Sequence, residues 1–547
     1  MFSAAAIVAA GVGLVPGVAS ATGPDGAKGT GNQGVSVPDL DLTKAKAKAY
    51  GEETFSSPAS KTVHPAAKGK QAAPQAEGSA SVDPTVDLVA KAMSAHAVQL
   101  DLTFTKDPEA AISAVIEWGD GQTLSTPGSG VQAQNHTYAH AGTYTIKVSL
   151  FEGTTLRGTN EVVFRTPGND FTPHAPTRLL DTREGIGAAK AKVPAFGVTR
   201  VKIAGAAQIP VGATAVALNV TVTNPTKAGH VRVYADDEDQ PTTSNVNYAP
   251  GQTVPNLVIA SIGDNGYVDI YNHGDGAIDL IADVTGYFTK TPASGYTPLD
   301  PSRVVDTREG LGTGKGAVPG FGSFSTQIHG RAGVPSTAKA VALNVTVTEP
   351  GAAGHLTVYP SGGQAPTSSN LNFTTGQTIA NSVIVPIGPD GKISVRNGGG
   401  AGAHVVVDVV GYYSPDSQGA LIRMTPRRWF DTREWNNPLD GRGYIYGRVL
   451  GGDPNVSALV LNATVTNTAG TGFLTVSPDP NSWEAYQGKW QSWPTPPNSS
   501  NLNWTPGKTV PNLVQASGGV NHIVDFWNMG YQSTDLVVDT FAFYATN

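Results

Sequence analysis

Apolar residues alternate with small or polar ones along most of this chain. In residues 215–223, Val216, Leu218, Val220 and Val222 fall on one face of an extended strand, and Ala215, Ala217, Asn219 and Thr221 on the other, because successive side chains of a strand point to opposite sides. Val341, Leu343, Val345 and Val347 repeat the pattern. Further strands are predicted at 230–234, 244–248, 254–261, 267–271 and 278–288, separated by Gly, Pro, Asn and Asp. Residues 98–104 and 144–150 alternate in the same way. Many short strands joined by turn residues, with no sustained helical period, predict an all-β protein built of sandwiches or jelly rolls.

The pattern is stated three times. Arg178, Asp181, Thr182 and Arg183 form an Arg-x-x-Asp-Thr-Arg motif that returns with Arg303, Asp306 and Arg308 and again with Arg428, Asp431 and Arg433, at intervals of 125 residues. Asn219, Asn344 and Asn462 keep step in one strand, and Asp283, Asp408 and Asp539 in another. A period of this length is a whole domain, not a solenoid unit. Three modules follow, at 171–290, 296–415 and 420–547.

Composition narrows the chemistry. The 547 residues include no cysteine, which removes disulfides and thiolate sites, and the formal charge of −7 without any long Lys/Arg run gives a nucleic-acid role no electrostatic support. Residues 1–21 read as a secretory signal, with an apolar core and Ala19-Ser20-Ala21 as a cleavage site. No basic residue precedes that core, so Met1 is expected to lie inside a longer signal. Residues 22–83 are rich in Gly, Ala, Ser, Pro and Lys and read as a disordered linker, in which 44–49 has helix-forming residues but nothing apolar to hold a helix. No other stretch is long and apolar enough for a helical membrane span.

Between 84 and 167, Trp118-Gly119-Asp120-Gly121 is followed by His136-Thr137-Tyr138 and Ala141-Gly142-Thr143-Tyr144. These motifs, in this order, resemble the PKD domain. The resemblance implies an immunoglobulin-like sandwich serving as a spacer or interaction module of extracellular proteins. The Arg-x-x-Asp-Thr-Arg modules resemble repeats of secreted proteins of Gram-positive bacteria. The expected fold is therefore tandem β-sandwiches, one immunoglobulin-like PKD domain and three jelly-roll-like modules.

Two readings fit the repeated motif. Arg178, Asp181 and Arg183 could clamp an anion or sugar with guanidinium forks; alternatively the Asp is pinned by an Arg to secure the fold. Recurrence in all three copies, with Arg303, Asp306, Arg308, Arg428, Asp431 and Arg433, favours the structural reading, and Asp283, Asp408 and Asp539 need the same arginines as partners. Asn219, Asn344 and Asn462 stand in Asn-x-Thr, yet their mid-strand positions favour hydrogen-bonded structural roles over glycan attachment. Asp236-Asp237-Glu238-Asp239 lacks the alternating ligand spacing of a calcium loop and reads as a solvated turn. His230 and His355 are matched by Phe473, so no shared metal or catalytic role fits that position. No metal site and no cofactor is expected.

The third copy departs from the pattern. Leu474 and Asn501 lie 27 positions apart where Leu356 and Asn370 lie 14 apart, an insertion of 13 residues. It contains Trp483, Tyr486, Trp490 and Trp493, and seven of the eight tryptophans of the chain, Trp435 among them, fall in this copy. Such rings either pack as a small core or present planes to the C–H faces of sugars. The expected function is noncatalytic binding outside the cell: the C-terminal module recognises a polysaccharide or other cell-surface polymer through Trp483, Tyr486, Trp490, Trp493 and Trp435. The alternatives are a structural or adhesive stalk that binds a protein and an enzyme with a site built from loops. Neither nucleic acid nor a membrane span is expected as a partner.

Overall fold

The computed structural model describes residues 34–51, 54–65, 82–449 and 452–547. The signal segment expected at 1–21 lies outside the described residues. In the first module the strands are Asp170–Asp181, Val198–Lys202, Ala213–Thr223, Gly229–Ala235, Val246–Tyr248, Val254–Ser261, Tyr267–Gly274 and Asp279–Thr289. The first, eighth, third and sixth form one antiparallel sheet, and the second, seventh, fourth and fifth the other. This is jelly-roll order. The second and third modules repeat it strand for strand.

Each module has its own apolar core, in which Val216, Leu218, Val220 and Val222 or their counterparts meet the outer sheet. The opposite face of the same strand is equally buried: Ala215, Ala217, Asn219 and Thr221 are at most 2 % exposed. That face turns to the other modules. A further core, drawn from all three copies, joins Ala215 and Ala217 to Ala340 and Ala342 and to Ala458 and Val460, along with Phe171, Tyr296, Tyr413 and Tyr544. Small side chains let the three inner sheets approach closely, and the aromatic rings fill one end. There the Tyr413 ring lies 4.1 Å from Phe171 and 5.0 Å from Tyr296. The hydroxyls of Tyr413 and Tyr544 are 2.6 Å apart and both donate to Gln515 Oε1 or to each other.

Asparagines close the arrangement into a ring. Asn381 Nδ2 of the second module donates to Asn219 Oδ1 of the first (3.1 Å), and its Oδ1 accepts Leu257 N–H (3.3 Å). Asn512 of the third donates to Asn344 of the second (3.0 Å) and accepts Ser382 N–H (3.0 Å). Asn256 of the first donates to Asn462 of the third (2.9 Å) and accepts Leu513 N–H (3.1 Å). Asn219, Asn344 and Asn462 in turn donate to the carbonyls of Ser369, Ser500 and Ser244 in the neighbouring copy. A head-to-tail contact repeated three times has returned to its start, which is what distinguishes a closed assembly from a filament.

Ahead of the repeats lies a sandwich of two four-stranded sheets. One contains Phe55–Ser57, Thr85–Ala92, Ala97–Thr105 and Val131–Thr137, the other Ile112–Glu117, Thr123–Pro127, Thr143–Glu152 and Thr155–Arg165. Trp118 is buried, its carbonyl accepts the Tyr138 hydroxyl (3.0 Å), and its ring stacks on His136, which bonds Asp120 at 2.8 Å. Gly119 has φ +88°, and a Cβ there would lie 2.7 Å from the Thr145 carbonyl.

The linker expected over 22–83 is corrected at both described segments. Phe55–Ser57 is an edge strand of this sandwich, paired with Leu88, Val89 and Ala90. Upstream, Val35–Ser36 adds a fifth, parallel strand to the outer sheet of the third module, and Thr43–Gly51 is a helix. Composition hid this because three residues suffice: Val37, Leu40 and Leu42 are at most 3 % exposed, within the third module's core.

Replacing Asn381 by Ala leaves Leu257 N–H, Asn219 Oδ1 and the Asn370 carbonyl short of a partner at a buried boundary. At about 1–3 kcal/mol for each buried unsatisfied group, the full chain is expected to melt several degrees lower. Asn135→Ala, at an exposed strand position, is expected to leave the melting temperature unchanged. Equal melting of the two variants contradicts the asparagine ring.

Candidate functional site

The repeated arginines are spent on the fold. Arg178 Nε and Nη2 donate to Asp283 (2.9 and 3.2 Å) and Nη1 to Asp181 (3.0 Å), while Arg183 holds Asp181 through Nε (2.9 Å), Nη2 (2.7 Å) and its backbone N–H (3.1 Å). Asp181 and Asp283 are at most 1 % exposed. Arg303 and Arg308 bind Asp306 and Asp408, and Arg428 and Arg433 bind Asp431 and Asp539, in the same manner. The hydrogen bonds from Arg183 hold the Asp181 carboxyl below the usual range, whereas burial raises Asp283 against the pull of Arg178. The quartet ties the first strand of each inner sheet to the eighth. Asp539 Oδ2 also accepts Ser244 N–H of the first module at 3.2 Å. Both oxygens of each motif carboxylate already have guanidinium partners within the chain.

The insertion of the third module divides its aromatic rings. Its helix, Trp483–Gly488, is capped by the Ser482 hydroxyl, which accepts Ala485 N–H. Tyr486 is buried, stacks on Tyr446 at 3.8 Å, and donates its hydroxyl to Asp479. Trp483 carries the Arg448 guanidinium 3.8 Å from its ring centre. Trp527, buried in the outer sheet, stacks on Tyr444 at 4.4 Å. These four rings with Tyr446 form a small core over the outer sheet. Trp490 and Trp493 remain 68 % and 52 % exposed. Trp493 stands edge-on to Tyr444 at 5.0 Å and Trp527 at 6.0 Å. Asn481 fixes the returning chain, donating to the Ser492 carbonyl and accepting Ser492 N–H, both at 2.9 Å. Trp435, 38 % exposed, stacks on Phe430 at 5.9 Å, and among the described residues no ring contact joins it to Trp490 or Trp493. The structure thus leaves Trp490 and Trp493 exposed, turns Tyr486 into core, and stacks Trp435 on Phe430.

Beneath this cap is a pair the sequence reading missed. Asp479, at the start of the insertion, and Asp525, in Ile523–Asn528, are at most 2 % exposed. Burial, reinforced by the neighbouring Asp479, pushes Asp525 up to about 10, so at neutral pH Asp525 is a protonated acid beside Asp479. The corresponding strand positions in the first module hold Asp236 and Asp269, where Arg200 reaches Asp236 at 2.5 Å and burial pushes Asp269 up to about 6. Within the acidic turn the Asp236 side chain is buried and paired with Arg200, while Asp237 and Asp239 are exposed. The second module has Ser361 and Ser394 there. Alignment of the copies along their outer sheets carries this signal; inspection for metal spacing does not. Among the described residues no group of three or more His, Asp or Glu side chains is placed to hold a metal ion. No described helix is long and apolar enough to cross a membrane.

Two outcomes follow. Asp306→Ala leaves Arg303 and Arg308 without their shared carboxylate, and the full chain is expected to lose about 3–5 kcal/mol of stability in denaturant unfolding; an unchanged midpoint would mean that the ion network contributes nothing. For Asp525 the folded state binds a proton that the unfolded chain releases, so its contribution to stability falls as pH rises from about 4 to about 10. Asp525→Asn removes that dependence, and its melting temperature is expected to exceed the parent's by a margin that widens toward about pH 9. Parallel melting curves for the two proteins over that range contradict a buried, protonated Asp525.

No family model matches the chain, and no curated protein matches it. Among solved structures, the atomic structure of Sulfolobus Turreted Icosahedral Virus aligns over 74 % of this chain and 91 % of that one, at 10 % identity and a TM-score of 0.16. A second, described as the triple jelly roll fold and turret assembly in an archaeal virus, covers 74 % and 89 %, at 10 % identity and a TM-score of 0.15. At these scores neither bears on what the protein does.

Proposed function

We propose that this chain is a noncatalytic binding protein of the cell exterior that recognises a carbohydrate or other surface polymer through its C-terminal module. The observation that carries this reading is the exposure of Trp490 and Trp493 on a segment anchored by Tyr486, Trp483 and Asn481. Indole planes held at a surface suit the apolar C–H faces of sugar rings, and Gln487, Lys489 and Asn498 stand exposed nearby in the chain to bond hydroxyls. Location outside the cell rests on the composition of residues 1–21. The leading sandwich, on its PKD resemblance, serves as a spacer or contact module. Because the two rings contribute about 0.5–1.5 kcal/mol each beyond area burial, one site binds weakly, roughly millimolar to micromolar. The second reading, a structural or adhesive role with a protein partner, is favoured by the same exposed rings, which an apolar protein surface would also cover.

The test is retention of the full chain on a panel of insoluble polysaccharides and on a glycan array. The double variant Trp490→Ala, Trp493→Ala is expected to lose about tenfold or more in retention, equivalent to about 1.4 kcal/mol, with an unchanged melting temperature. Unchanged retention places the site elsewhere. Early melting makes both rings structural, and no retention of the parent on any glycan favours a protein partner.

A further inference from the structure

Residues 34–51 complete the third module. Val35 and Ser36 pair in parallel with Ile445 and Tyr446, Val37 N–H donates to the Tyr446 carbonyl (2.9 Å) and Leu40 N–H to that of Arg448 (2.8 Å). Trp429 Nε1 donates to the Pro38 carbonyl at 2.9 Å, Arg448 binds Asp39 at 3.0 Å, and Lys46 pairs with Asp453. Val37, Leu40 and Leu42 enter the core.

The module has room for them because its own chain is short. In the first module Ile203 and Ala213, which flank the turn after the second strand, are ten positions apart, and Ala204 and Ile209 are buried between them. The counterparts in the third, Val449 and Val456, are seven apart. After the repeated motif, Asp181 and Val193 are twelve positions apart, and Asp431 and Leu439 are eight. Both shortfalls fall around the strand that receives the strap. The equivalent edges, Val198–Lys202 and Ser323–Gln327, carry no added strand among the described residues.

We infer that the third module is a strand-acceptor site, filled in this structure by the chain's own residues 34–42, and that it takes the same segment from a second copy of the chain. The occupant is specified by the groove: three apolar side chains at fixed spacing, backbone donors for the Tyr446 and Arg448 carbonyls, and an acid opposite Arg448. The helix Thr43–Gly51 follows the strap, and only three residues, 52–54, separate that helix from Phe55, where the chain enters a sheet of the leading sandwich; a short connection favours exchange of an element between copies over slack within one. Strand addition of this kind obtains affinity from main-chain bonds and selectivity from the pockets for alternate side chains. The inference is independent of the glycan reading.

The experiment uses two full-length variants. One lacks residues 34–42 and keeps an intact groove. The other is Gly447→Val, which keeps the strap but blocks the groove, since a Cβ at Gly447 would lie 2.4 Å from Val37 Cγ2 and 2.7 Å from the Trp429 ring. Each alone is expected to be monomeric by light scattering, and their mixture to give a one-to-one complex. A synthetic peptide of residues 33–50 is expected to bind the deletion variant and raise its melting temperature, and a scrambled peptide is not. If the deletion variant does not fold, the Leu40→Asp, Leu42→Asp chain replaces it. Rescue of that chain's melting temperature by the peptide supports the inference. Absence of both peptide binding and the mixed complex overturns it.

Discussion

The structure depends on burying the second face of each module's inner sheet. A strand such as Ala213–Thr223 offers its large apolar side chains to its own core and its alanines, asparagine and threonine to the neighbouring modules. Asparagine is the residue that makes this contact specific. An amide has both donor and acceptor capacity, and Asn381, Asn512 and Asn256 each use it across a boundary, in the same geometry, three times. A polar atom buried there without its partner costs more than the bond contributes, so the network disfavours every arrangement but the closed one.

The Arg-x-x-Asp-Thr-Arg motif lies at the edge of the same boundary. Its guanidinium and carboxylate groups hold the first and eighth strands together, and in the third module Asp539 reaches a backbone N–H of the first. Buried ion pairs add little net stability over apolar packing but strongly penalise misplacement. They therefore help set the register in which the inner sheets meet. Closure also changes what repetition achieves. Three linked modules suggest reach or avidity, yet here the inner faces are spent on one another, and the differences between copies are on the outer sheets: Arg200 and Asp236 on the first, serines on the second, tyrosines and tryptophans under an insertion on the third.

Much of the fold was legible in the sequence because a strand's alternation is local. The jelly-roll class and the three copies follow from residues such as Val216 and Val341 and from the interval between Asp181 and Asp306. The closed arrangement did not, although its signal was present: the alternation puts Ala215, Ala217 and Asn219 on a second face of the strand but does not name the sheet that covers it. The ordered strap was hidden for the opposite reason, since Val37, Leu40 and Leu42 are too few to register in the composition of the 62 residues, mostly polar or small, read as one linker. Of the candidate site, the tryptophan insertion was visible from spacing, but the split between buried Tyr486 and exposed Trp490 depends on the outer-sheet tyrosines beneath. Asp479 and Asp525 lie 46 positions apart and meet only through the fold.

A closed ring of buried amides makes the three modules unfold as one body. Leu257, Ser382 and Leu513 each donate a backbone N–H to an asparagine of a different module. Native-state hydrogen exchange at these three amides tests the claim most directly. Cooperative closure predicts that all three exchange only through the same global opening, with one free energy and one denaturant dependence. Exchange of any one of them through a smaller, separate opening, with the other two still protected, would contradict it.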